Sequence, residues 1–254
     1  DATSPVERHR NLVFMCGRFV STAGPDRIAA YFDTVLPTEA VAESLGENYN
    51  VAPTQDIYAV VGTGDGTARL DAFHWGLVPS WAKDRKIGSK MINARAETLA
   101  EKPSFKSLFR TKRCIVPMDG FYEWKAGIEG GPVNTKGKLL KQPMYIHRAA
   151  GEPLAVAGLW TRWKDPDDPE GRFLHSATVI TTAANHTMEP VHDRMPVILP
   201  SNQWVTWLDP ANDDLDALAL LLVGCDDDVL VMHEVSTEVN NVRNNRADLL
   251  ASVE

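Results

Sequence analysis

The sequence predicts an α+β fold: a single domain of mostly antiparallel strands in an irregular, barrel-like sheet flanked by short helices. Three observations lead there. Seven apolar or alternating runs of strand length follow Pro53, the helical patterns between them are short and scattered, and no regular β–α alternation calls for a parallel sheet. A chain of 254 residues, 44% hydrophobic and 24% charged, has enough apolar content for one large core.

Taken in order, Gly24-Pro25 followed by Asp26–Phe32 reads as a helix whose proline presets the first turn. The strand runs are Ile57–Val61, Leu70–Trp75, Arg113–Val116, Pro143–Ile146, Leu154–Trp160, Ala177–Thr181 and Val229–Val235. Helical patterns recur at Phe105–Phe109, at Ser201–Leu208 with Ser201 as N-cap, and at Leu215–Val223. Glycines punctuate the chain at Gly62 to Gly66 and at Gly127 to Gly137, the second segment reading as a hairpin or loop.

No apolar run approaches the ~20 residues needed to cross a bilayer, and residues 1–14 lack the layout of a secretory signal. The three cysteines, at 16, 114 and 225, make neither a disulfide framework nor a C-x-x-C pair. A reducing cytoplasm and a monomer are the expectation. His186 and His192 have no thiolate cluster beside them and no P-loop is present, so neither metal nor cofactor is expected.

The net charge of −8 is unevenly spread. Lys83–Arg113 carries ten Lys/Arg against three Asp/Glu, and Ser201–Glu254 two against eleven. Such asymmetry is what a basic binding face on an acidic protein produces, although solvated basic loops produce it too.

Met15-Cys16 looks like a translation start inside the written chain, with 1–14 an extension and 15–254 the domain. Without Met15, Cys16 presents an amine with a pKa of about 8 beside a thiol. Such a pair condenses with an aldehyde to an imine and then a thiazolidine, which no internal cysteine does. The alternative is that Cys16 is a small buried hydrophobe. Asn93, Arg95 and Glu97 stand at successive odd positions, on one side if that segment is extended. Glu123, between Phe121-Tyr122 and Trp124, is expected to be buried with a raised pKa suited to acid/base work, or else to sit at a wet rim. His192 is flanked by Val191 and Asp193-Arg194, and a structural role is open to it as well.

Together these segments resemble the SRAP family, the SOS-response-associated peptidase-like proteins. The resemblance rests on Met15–Phe19, Tyr49–Pro53, Trp75–Trp81, Asn93–Thr98, Arg113–Trp124, Ala157–Trp160, His192–Pro196, Val235-Ser236 and Val239–Asn244, in order from Met15 to about Leu250. It implies binding of single-stranded DNA and capture of the abasic-site aldehyde as a thiazolidine. It further implies Cys16 as nucleophile, Asn93 as orienting amide, Glu123 as acid/base and His192 beside the sugar phosphate. Arg18 and Arg95 are implied at phosphates, Thr181 at the DNA backbone, and Pro53 and Trp81 against bases. Ala82 after Trp81, and Met118 before Asp119-Gly120, depart from the usual pattern. With residues 1–15 attached the Cys16 nitrogen is an amide, so the expected chemistry requires their removal. Two further readings stand beside this one: a cysteine peptidase acting on its own N-terminal extension, and a non-catalytic single-strand binding module.

Overall fold

The computed structural model describes residues 16–36, 45–166 and 168–253. The expected extension and Met15 lie outside them. Twelve strands and four α-helices are described. In chain order they are β1 (Phe19–Ser21), α1 (Pro25–Phe32), β2 (Asn48–Val51), β3 (Asp56–Gly62), β4 (Ala68–Trp75), β5 (Asn93–Arg95), α2 (Pro103–Thr111) and β6 (Arg113–Met118). There follow β7 (Gly120–Lys125), β8 (Gln142–Arg148), β9 (Leu154–Lys164), β10 (Phe173–Ala183), β11 (Arg194–Pro196), α3 (Trp204–Leu208), α4 (Leu215–Leu220) and β12 (Leu230–Glu234).

Two sheets form, and the fold is α+β as expected. The first runs β12-β8-β7-β1-β2, every pair antiparallel. In the second, β10-β4-β3-β6-β9 returns to β10 and closes a barrel, which leaves no open edge among those five strands. The short β5 and β11 attach to the C-terminal part of β10. Among the described strands, only the pairings of β10 with β4 and β5 are parallel.

Alternation along each strand sorts the core. Ala59, Val61, Phe73, Cys114, Val116, Val156, Ala177 and Val179 fill the barrel, continuous with Phe19, Val51, Phe121 and Ile146 of the first sheet. Their sequence neighbours Tyr58, Val60, Leu70, Ile115, Ala157 and Ile180 point outward under Phe32, Phe105, Phe109, Trp207 and Leu218 of the helices. The far face of the first sheet, with Val20, Tyr122 and Tyr145, is covered by Val235, Val239 and Leu249.

Each expected strand run lies largely within an observed strand, but β1, β2, β5, β7 and β11 are not among them: four are three or four residues long with too few positions to reveal a period, and β7 carries aromatic residues on both faces. Ser201 is not an N-cap: it opens a 3₁₀ turn, Ser201–Gln203, that leads into α3 without a side-chain cap. The last helix stops at Leu220, and Asp214 caps its start by accepting from the Ala217 N–H. Glu97 does not follow Asn93 and Arg95 along a strand. The chain turns into 3₁₀ geometry at Ala96–Thr98, and only the first two share a face of β5.

Candidate functional site

Pairing of β1 with β7 builds the centre of the site. Phe19 stands opposite Phe121, and the Tyr122 N–H donates to the Arg18 carbonyl at 3.0 Å. Continuing that antiparallel register puts Gly17 opposite Glu123 and Cys16 one position beyond, within reach of its carboxylate. Alternation along β7 sends Tyr122 to the outer face and Phe121 and Glu123 inward, so the carboxylate meets the start of the chain's first strand.

The Cys16 backbone nitrogen donates to Glu123 Oε1, and both residues are buried, Glu123 at 2% exposure. Burial raises the Glu123 pKa to about 7, against the bonds its carboxylate accepts from the Cys16 and Trp124 backbones. Burial also drives the Cys16 thiol well above its ordinary range, and the Glu123 charge adds to this. A resting thiolate is therefore disfavoured, and sulfur attack has to be coupled to proton removal. Cys16 has a φ of 47°, a left-handed conformation that costs a non-glycine residue about 1–3 kcal/mol.

His192 is carried to this place by the segment before β11, which β10 holds through the pairs Thr181–Pro196 and Ala183–Arg194. Its side chain is 15% exposed. Nδ1 accepts the Arg194 backbone N–H at 3.1 Å and lies 2.9 Å from Asp193 Oδ1. One nitrogen cannot accept and donate at once, so protonation exchanges the Arg194 bond for the Asp193 bond. Burial lowers the His192 pKa, more than Asp193 raises it. Lys141, exposed just before β8, acts electrostatically on both Glu123 and His192. The sequence reading missed it, because a lone lysine at the end of a glycine-rich loop carries no local signal.

Asn93 stands on β5 opposite Val179 of β10, and Arg95, exposed, opposite Thr181. Thr181 itself is 2% exposed. Arg194 Nη2 donates to its carbonyl at 2.6 Å and its hydroxyl at 3.3 Å, while the same guanidinium grips Glu97 through both carboxylate oxygens at 2.8 and 2.9 Å. This bidentate pair ties the turn after β5 to β11 and lowers the Glu97 pKa.

The Trp75–Trp81 turn is split between core and surface. Trp75 is fully buried and its indole donates to the Ile92 carbonyl at 3.1 Å, whereas Trp81 is 62% exposed. Gly76 permits the turn: at φ 128° it passes so close to the next loop that a Cβ would sit 2.6 Å from the Gly88 carbonyl oxygen. Pro53 is half-buried in the turn between β2 and β3, beside Thr54 at φ 74°.

Two arginines of the basic motifs are held by backbone. Arg18 Nη1 donates to Asn50 Oδ1 and to the Val239 carbonyl, each at 2.9 Å. Asn50, 1% exposed, donates in turn to the carbonyls of Val239, Asn241 and Asn244 at 3.0–3.1 Å. That clasp explains why the Tyr49–Pro53 and Val239–Asn244 segments occur together. Arg113, counted above within the basic segment, is 2% exposed and donates to five carbonyls, those of Phe109, Arg110, Trp207, Asp209 and Asn212. It is a structural cation and takes no part in a basic face.

A closed five-stranded barrel, a second sheet, and a cysteine just before the first strand backed by a buried glutamate define the class. The sequence profile described as SOS response associated peptidase (SRAP) matches residues 15–242, and the chain belongs to that family. Among its relatives are the abasic site processing protein YoqW of Bacillus subtilis, 45% identical over 94% of this chain and 100% of that one. The abasic site processing protein HMCES of Xenopus tropicalis is 33% identical over 94% of this chain and 78% of its own. A crystal structure of a protein from Bacteroides thetaiotaomicron superposes with a TM-score of 0.80 at 27% identity, covering 94% of this chain and 100% of that one. Among the described residues no helix is long and apolar enough to cross a membrane.

Proposed function

We propose that this protein captures abasic sites in single-stranded DNA, closing a thiazolidine between the ring-opened sugar and an N-terminal Cys16 released from residues 1–15. The observation that carries the reading is the Cys16 nitrogen held against a buried Glu123 whose pKa is about 7. The names of the relatives, abasic site processing proteins, agree with it.

In the proposed sequence Glu123 takes a proton from the Cys16 ammonium, and the neutral amine adds to the aldehyde carbon. The amine nitrogen gives one proton to the sugar oxygen and Glu123 returns the other, so the oxygen leaves as water and the protonated imine remains. The sulfur then adds to the imine carbon, and its proton passes to Glu123. Aldehyde plus aminothiol yields thiazolidine plus one water, with no redox change. His192 assists at the sugar oxygen or adjacent phosphate, and Asn93 orients the reacting groups. Arg95 and Arg18 serve phosphates, and Trp81 and Pro53 the flanking bases; Thr181, enclosed at 2% exposure, acts by holding Arg194 and not by touching the strand. A monomer without metal or cofactor suffices.

Intact mass tests the reading. Protein beginning at Cys16, mixed with a single-stranded oligonucleotide carrying one abasic site, gains the DNA mass less one water, in an adduct that survives heating. Cys16→Ala forms none while retaining noncovalent binding. An equally stable adduct in the alanine variant overturns the thiazolidine.

Removal of residues 1–15 by the protein itself is favoured by one observation, the left-handed Cys16 backbone, whose strain cleavage of the preceding peptide bond relieves. Expression of the full sequence as Glu123→Gln tests it: self-processing predicts retention of the extension in the variant and its loss in wild type.

A further inference from the structure

The barrel has a second mouth, at the opposite end of β10 from the reactive site. Arg194 and the His192 segment lie at Ala183, the end of that strand. His175 is eight residues earlier, about 27 Å away at strand rise. Around it the inward register brings together groups from separate parts of the chain. His175 is directly opposite Arg162 on β9, Trp160 lies one inward position further along, Arg69 and Asp71 come from β4, and Lys112 immediately precedes β6.

Three cations crowd this rim with one carboxylate beside them. Arg69 is paired with Asp71. Among the described residues neither Lys112 nor Arg162 has a carboxylate at ion-pair distance. Arg162 and Arg69 both lower the Lys112 pKa, behind the larger effect of burial, and all three cations act in the same sense on His175. Mutual repulsion of this kind costs stability and is relieved by an anion. On the hairpin between β9 and β10 Asp168 and Glu170 hold Arg172 instead, at 3.1 and 3.3 Å.

Aromatic faces lie beneath the cations. Lys112 Nζ stands 4.2 Å from the Trp160 ring centre, and the Arg162 guanidinium 5.0 Å from that of Phe173, which is 51% exposed. Two cations without a carboxylate partner, lying on a half-buried and an exposed ring, are the chemistry that holds single-stranded nucleic acid without reading its sequence.

We propose that this rim is a second contact surface for single-stranded nucleic acid, engaging a stretch of strand remote from the reacting sugar. The inference rests on the reading of the chain as a single-strand binder and extends it to a different end of the barrel.

The test uses protein beginning at Cys16, a fluorescent 30-nucleotide deoxythymidine strand, and an 8-nucleotide strand with one abasic site. Replacing both Lys112 and Arg162 by alanine should reduce the magnitude of the 30-mer log–log salt slope by about 1.4, at about 0.7 per phosphate. Phe173→Ala should raise the 30-mer Kd about fivefold or more. Lys112→Arg with Arg162→Lys should keep the wild-type slope. Crosslinking to the 8-mer should be unchanged in every variant. An unaltered 30-mer slope and Kd overturn the proposal, as does displacement of the 30-mer by polyglutamate that depends on Lys112 and Arg162, which assigns the rim to acidic polypeptide. Failure of wild type to crosslink the 8-mer counts against the abasic-site reading and leaves the slope measurement to judge the rim.

Discussion

The backbone nitrogen of Cys16 donates to Oε1 of Glu123, 107 residues further along the chain. The contact joins the start of β1 to the inward face of β7. It places a carboxylate kept out of water against the backbone nitrogen of Cys16.

Glu123 therefore couples stability to pH. Its pKa rises from an ordinary 4.5 to about 7 in the folded state, so between these values the folded protein holds a proton that the unfolded chain has lost. Stability contributed by the neutral acid is full below 4.5, falls as pH rises, and is gone above about 7. Relative to Glu123→Gln, wild type should lose about 3 kcal/mol across that window, at 1.36 kcal/mol per pH unit. Denaturant unfolding of both proteins at pH 4.5 and 8 measures it, and parallel pH dependences refute it.

In protein that already begins at Cys16, the same substitution should slow adduct formation and reversal by about 10²–10⁴-fold, the usual worth of a placed general acid/base. Wild-type rates should show an ionisation near 7 that the glutamine variant lacks. Superimposable rates and profiles would reduce Glu123 to a structural carboxylate.

Arg95 and Arg113 should separate two uses of a cation. Arg95→Ala, at an exposed position, should leave the fold unchanged and cut the magnitude of the short-strand salt slope by about 0.7. Arg113→Ala strips five carbonyls of their donor and should cost about 3 kcal/mol or more of stability without altering that slope. Unfolding midpoints and salt titrations of both variants decide the matter.

Trp81→Ala should weaken binding of short single strands by about 1–3 kcal/mol, the loss of one stacked base, with little change in the salt slope. Because Trp81 is 62% exposed, its thermal midpoint should stay close to wild type. Unchanged affinity would place the bases elsewhere.

Asn50→Ala should act through the C-terminal segment. It removes one bond from each of the Val239, Asn241 and Asn244 carbonyls and one from Arg18; Val239 keeps Arg18 and Asn241 keeps the Asn244 N–H, so the Asn244 carbonyl is the one that loses its donor, and the expected cost is about 1–3 kcal/mol. Increased hydrogen exchange at residues 239–244, together with a lowered midpoint, is the expected signature.

Much of this was legible in the residues themselves. The unbroken apolar runs Ile57–Val61 and Leu154–Trp160 marked strands buried on both faces, because a strand shows each face to its surroundings at every second residue. The aromatic neighbours of Glu123 announced a carboxylate out of water, and its pKa of about 7 agrees. What only the tertiary structure decided are relationships between distant segments. Local periodicity tells which side of a strand is buried, not which strand lies beside it. The meeting of Cys16 with Glu123, the gathering of Arg69, Lys112 and Arg162 at one mouth, and the arrival of His192 at the end of β10 therefore depend on pairings across tens of residues or more. Charge is equally blind to position. Arg95 and Arg113 count alike in a sum over the basic segment, yet one faces solvent and the other is enclosed by carbonyls, because solvation is set by everything packed around a side chain and not by its neighbours in sequence.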